Sequence, residues 1–125
     1  MGEITVKTVN ESGVELKAEG TTVTISGSIN HPKPGVFMEP FIEEVHNSIV
    51  ANGIKGINVD ITNLRFLNSA GIREFVDWVM KLNELDIEKR YSIKFICSSE
   101  HKWQESSMST LIFLNAEYTS KETVK

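Results

Sequence analysis

The stretch from Phe66 to Ile72, Phe-Leu-Asn-Ser-Ala-Gly-Ile, lies between a strand pattern and a helix pattern. Before it, residues 57–61 alternate between apolar and polar side chains, which is typical of a half-buried strand. Ser69 is therefore predicted at the start of a helix, where free backbone N–H groups and the positive end of the helix dipole accommodate a phosphate. The apolar face of this helix is predicted from side chains at helical spacing: Ile72, Phe75, Val76, Val79 and Leu82.

The rest of the chain continues to alternate between strand and helix patterns. A β-hairpin is predicted over residues 14–28, and Glu11-Ser12-Gly13 separates it from a short opening strand over residues 4–9. A mixed β-sheet with helices packed on it, an α/β fold, follows from this order. The helices are predicted over 36–52, from Ser69 to about residue 86, and after Ser98-Ser99, which would cap a third helix. One face of that third helix carries Trp103, Ser107, Leu111 and Leu114. The remaining strands are predicted over 57–61, 91–97 and 116–119, and a frayed polar tail over 120–125.

Length and composition predict one domain over residues 1–125, with ordinary apolar (40%) and charged (24%) fractions. A net charge of −4 without a basic stripe argues against nucleic acid as a partner. Cys97, the one cysteine, sits in an apolar run and is interpreted as a small buried hydrophobe. The sequence shows neither a signal-peptide pattern nor an apolar run of membrane-spanning length, so a cytoplasmic location without membrane binding is expected.

Asp60 followed by Phe66–Ile72 resembles the signature of STAS domains, the anti-sigma-factor antagonist family. The segment Val23–Ile29 is similar to the second strand of that family, and the order of elements agrees from about residue 14 to residue 114. The resemblance implies a STAS-like fold and a bacterial partner-switching role. It implies that Ser69 is the residue phosphorylated by an ATP-binding serine kinase of the anti-sigma-factor type and reset by a phosphatase.

Two positions depart from the family pattern. The family motif has an aspartate at the position that is Asn68 in this chain. A second acidic position of the family, just after its second strand, is Asn30 here. Asn caps a helix about as well as Asp, so the fold prediction is unaffected. The neutral amides are consistent with an alternative function, in which the protein is a constitutive adaptor that is never phosphorylated and acts on a non-sigma target within a signalling assembly.

The partner is predicted to bind at the start of the second helix and at the neighbouring loop. Trp78 lies at the margin of the apolar arc, so it is either a core-edge aromatic or a hot-spot contact. Asp60 is expected to hydrogen-bond nearby backbone amides. The predicted partner-binding residues are Asn30, Asn68, Ser69, Ala70, Gly71, Arg73, Glu74, Asp77 and Trp78.

A third hypothesis is a small-molecule-binding or hydrolytic domain with Ser69 as nucleophile. His101 follows in the chain order of a triad, with Asp77 or Asp86 between them, but the Gly-x-Ser-x-Gly elbow is incomplete. The histidines have no metal-ligand spacing, and no nucleotide-binding glycine motif is present. We therefore expect no enzymatic activity, no metal and no cofactor.

Overall fold

The computed structural model describes residues 3–4 and 6–124, and within these ranges it contains seven strands and three α-helices. The strands are β1 (Val9–Glu11), β2 (Val14–Glu19), β3 (Thr22–Ile29), β4 (Gly56–Asp60), β5 (Leu64–Leu67), β6 (Ser92–Ser98) and β7 (Thr119–Val124). The helices are α1 (Gly35–Ala51), α2 (Ser69–Lys81) and α3 (Lys102–Leu114). The predicted mixed α/β fold with an N-terminal β-hairpin is confirmed.

The strands form one mixed sheet in the spatial order β1-β2-β3-β4-β6-β7. Neighbours among β1, β2 and β3 are antiparallel, whereas β3, β4, β6 and β7 are parallel to one another. β3 pairs with β4 through Thr22–Thr24 and with β5 through Gly27–Ile29. The end of β3 and the end of β5 therefore lie side by side, and they lead into α1 and α2, respectively.

The helices cover one face of the sheet. In β4, Ile57 and Val59 are buried while Asn58 is exposed, and in β6 the same alternation buries Ile93 and Phe95. Such alternation is typical of a sheet with one packed and one solvated face. Since α2 contacts both α1 and α3, it occupies the middle of the helical layer.

Both ends of the predicted strand pattern need correction. The opening strand is β1, which starts at Val9; residues 4 and 6–8 are not in a strand, and Thr5 lies outside the described residues. The predicted last strand over 116–119 and the predicted frayed tail are both wrong: residues 116–118 form a turn, and β7 (Thr119–Val124) runs parallel to β6. Residue 125 lies outside the described residues. β7 is an edge strand, where charged side chains are common, and its Glu122 pairs with Lys94 of β6 at 3.0 Å.

The region around α2 also differs from the sequence pattern. β5 was not predicted, because its burial does not alternate and its hydrogen bonds come from β3. α2 ends at Lys81 instead of near residue 86, and the chain continues through short 3₁₀ segments, Leu82–Glu84 and Ile87–Lys89. The Arg90 side chain donates to the backbone oxygens of Leu85 and Asn83, which replaces the helical hydrogen bonds that are lost there.

The predicted cap and face of α3 are wrong. The helix begins at Lys102, and the Ser98 hydroxyl instead accepts the N–H of Glu100 in the preceding turn. The residues that α3 buries are Gln104, Met108 and Leu111, so only Leu111 of the predicted face is in the core. Gln104 was unexpected there because the apolar pattern gives no signal for a buried amide.

Candidate functional site

Asn68 joins the loop before α1 to the start of α2. Its side-chain Oδ1 accepts the backbone N–H of Gly71 at 2.8 Å, which is the helix cap predicted from the sequence. Its Nδ2 donates to the backbone oxygen of His31 at 2.8 Å, and its own N–H donates to Ile29 at 3.0 Å. An amide can do both tasks because it carries a donor and an acceptor, whereas an ionised carboxylate only accepts.

Ser69 is the first residue of α2 and its side chain is exposed. Among the described residues its hydroxyl has no hydrogen-bond partner, so it is open to modification or contact. Ala70 beside it is half-buried, and Gly71 is buried. Gly71 faces the sheet, beneath the surface that exposes Ser69, and its predicted part in partner binding stays a prediction.

Gly71 is required by close packing. A Cβ added there would lie 2.6 Å from Leu67 Cδ1 and 2.9 Å from Ile29 Cγ2, closer than van der Waals contact allows. The missing side chain lets the first turn of α2 rest directly on the ends of β3 and β5. This contact and the Asn68 hydrogen bonds hold Ser69 in a fixed place.

The loop between β3 and α1 forms the second wall of the site. Asn30 is exposed, and His31 is half-buried with its ring edge-on to Phe37 at 5.8 Å. His31 Nδ1 accepts the N–H of Lys33 at 2.9 Å. The carbonyl of His31 thus reaches Asn68 from an ordered loop, and Asn30 lies at the same end of the sheet as Ser69.

The outer side of α2 is rich in charge. Arg73 and Asp77 are exposed, and Glu74 is half-buried with its carboxylate against Gly35, where a Cβ would be 2.8 Å from Oε2. Burial, followed by the charges of Asp77 and Glu39, raises the pKa of Glu74, while Arg73 opposes the shift. Glu74 therefore connects the predicted partner-binding residues to the start of α1.

Trp78 is wholly buried, which agrees with the core aromatic among the two alternatives that the sequence leaves open. Its Nε1 donates to the Tyr91 hydroxyl at 2.8 Å, and that hydroxyl lies 2.7 Å from His46 Nδ1. The apolar arc of α2 is wider than the sequence indicates because both α1 and β6 pack against the helix. Trp78 consequently supports the site from below.

Two buried or half-buried polar side chains support the sheet near the site. Asp60 Oδ1 accepts the N–H and the hydroxyl of Thr62 at 2.9 and 2.7 Å, which confirms the predicted hydrogen bonding to nearby backbone. Gln104 accepts the N–H of Ser98 and donates to the backbone oxygens of Ile61 and Leu64. These bonds fix the turn that leads from β4 into β5 and thence to Ser69.

A separate open cleft of about 790 Å³ lies at the bulge of β3 and is bordered by Gly27, Arg65 and His101. Ser69 does not line it, so this cleft does not bring Ser69 and His101 together as the hydrolytic hypothesis would require. Within residues 3–4 and 6–124, no group of three or more His, Cys, Asp or Glu side chains could hold a metal ion. Over the same residues no helix has the length and apolarity needed to cross a bilayer.

Comparisons with known proteins give a structural likeness. A sequence search against protein families and curated proteins finds no match. A similar fold occurs in the crystal structure of the diguanylate cyclase SiaD in complex with its activator SiaC from Pseudomonas aeruginosa. The fold resembles that of SiaC. The TM-score is 0.73 at 11% sequence identity, and the alignment covers 95% of this chain and 100% of that one.

Proposed function

We propose that this protein is a binding regulator in a signalling assembly and acts on a protein target other than a sigma-factor system. The observation that carries the proposal is the double hydrogen bond of the Asn68 amide to Gly71 and His31. It joins the Asn30 loop and the exposed Ser69 into one ordered surface without a deep pocket. Such a surface suits a protein partner better than a small molecule.

The neighbour's description supports a signalling enzyme as the target. SiaC is described as the activator of a diguanylate cyclase, with which it was crystallised. By analogy, a nucleotide cyclase is the first target that we would test. The neutral Asn68 and Asn30 fit a constitutive adaptor, since the amide of Asn68 is already committed to two structural bonds.

A second candidate is the partner switch of the anti-sigma-factor antagonist type. Its support is the exposed Ser69 hydroxyl at the N-terminus of a 13-residue helix. A phosphate there would add about two negative charges to the docking surface, so a kinase partner would be recruited or repelled without a change of fold. This function would require an ATP-binding serine kinase as partner and a phosphatase to reset Ser69.

Affinity capture from the native host, with wild type, Ser69→Ala and Ser69→Asp, separates the two functions. The constitutive adaptor predicts one partner retained by wild type and Ser69→Ala, and an unmodified Ser69 in intact-mass spectra. The switch predicts a phosphate on Ser69 and loss of the partner in Ser69→Asp. Ser106→Asp, at an exposed serine of α3, is the matched control. If wild type captures no protein, both functions are wrong.

A further inference from the structure

A groove of about 270 Å³ lies between α1 and α2, next to the predicted partner-binding residues. Ile42 and Trp78, both buried, lie beneath it, and the half-exposed Met80 is at its edge. The volume is below the roughly 300–1,000 Å³ typical of small-molecule pockets. It is therefore better suited to one long side chain than to a whole ligand.

The rim of the groove carries an excess of negative charge. Its carboxylates belong to Glu39, Glu74, Asp77 and Glu84. None of the four takes part in a salt bridge within the described part of the chain. Lys81, the cation at the rim, is bonded to Glu43 at 3.3 Å. The raised pKa of Glu74 has burial and the repulsion from Asp77 and Glu39 as its main causes.

We propose that this groove receives an arginine side chain from the protein partner. The aliphatic stem would lie along the groove beside the exposed Met80, above the buried Ile42 and Trp78, and the guanidinium would meet carboxylates from both helices. Arginine fits because its planar fork donates to two carboxylates at once. The inference rests on the proposed function, since Glu74 and Asp77 belong to the same predicted docking surface.

A direct test uses Nα-acetyl-arginine methylamide as the probe and its neutral isostere, Nα-acetyl-citrulline methylamide, as the reference. Nitrogen–proton correlation spectra should show saturable shifts at Glu74, Asp77 and Met80 with the arginine probe and none with citrulline. The double variant Glu74→Gln/Asp77→Asn should weaken probe binding about fivefold. Glu88→Gln/Glu117→Gln, which removes two exposed carboxylates elsewhere, should leave probe binding unchanged.

Equal shifts with both probes, or shifts spread over the surface and unaffected by Glu74→Gln/Asp77→Asn, would overturn the inference. A lysine analogue that binds more tightly than the arginine probe would also contradict it. The same variants in the capture experiment separate the inference from the proposed function. If both wild type and Glu74→Gln/Asp77→Asn retain the partner, only the arginine-binding role of the groove is overturned. If wild type captures no protein, the proposed function is overturned, and the probe titration alone then tests whether the groove binds arginine.

Discussion

Trp78 of α2 and Tyr91, the residue just before β6, are both wholly buried and share a hydrogen bond of 2.8 Å from the indole Nε1 to the hydroxyl oxygen. Because that oxygen accepts from Trp78, the hydroxyl proton is free to point to His46 Nδ1, 2.7 Å away on α1. A buried polar chain thus links both helices of the groove to the sheet.

Tyr91→Phe is expected to lower the free energy of unfolding by about 1–3 kcal/mol. The change leaves the Trp78 indole N–H and His46 Nδ1 without a partner in the interior. Urea denaturation measures the loss. Tyr118→Phe, at a half-buried tyrosine whose hydroxyl has no hydrogen-bond partner among the described residues, is the control and should cost much less. Equal losses in the two variants would contradict the role of the hydroxyl.

Stability is expected to depend on pH through His46. Burial, followed by the charge of Lys81, lowers the pKa of His46 below its usual 6.5, although Glu43 and Glu84 oppose the shift. The unfolded chain therefore binds the proton first as pH falls. The stabilising contribution is complete above the unfolded value and is lost as pH falls through the folded pKa.

Urea denaturation at a series of pH values, in wild type and in His46→Gln, measures this contribution. The carboxylates titrate in both proteins, so only the difference between the two curves reports His46. We expect wild type to lose stability more steeply on acidification than the variant. Parallel curves would show that His46 does not titrate with unfolding.

Asn68→Asp is expected to destabilise the protein by about 1 kcal/mol at neutral pH, because the carboxylate still caps Gly71 but cannot donate to the His31 oxygen. Asn68→Ala should cost about twice as much, since it loses both bonds. Unfolding in urea gives both values. Asn47→Asp, at an exposed amide of α1, is the control for added charge. An Asn68→Asp protein as stable as wild type would show that the bond to His31 contributes little.

Gly71→Ala is expected to cost about 1–3 kcal/mol, because the new methyl group would overlap Leu67 and Ile29 in the packed layer. Gly35→Ala is the matched comparison: its Cβ would meet only the flexible end of Glu74, which can move aside. Thermal unfolding of both variants measures the difference. Similar effects at the two glycines would contradict the close packing of α2 on the sheet.

Most of the helices and central strands could be predicted because their patterns repeat over a few residues. The alternation at residues 57–61, the spacing from Ile72 onward and the Asn68 cap depend on neighbours within one or two turns. α1 likewise begins and ends within one residue of its predicted bounds. The same local chemistry predicted an exposed serine at a helix start, which the structure places at the surface.

Tertiary contacts decided the remainder, since their partners lie far away in the chain. β7 is a polar segment that becomes a strand because β6 supplies its hydrogen bonds, and Trp78 is buried beside Tyr91, 13 residues away, and under α1. The bond from Asn68 to His31 spans 37 residues, so no local pattern indicates it. The sequence by itself thus determined the order of the helices and central strands and the position of Ser69. Only folding decided which side chains are buried beneath it, because burial depends on what packs from a distance.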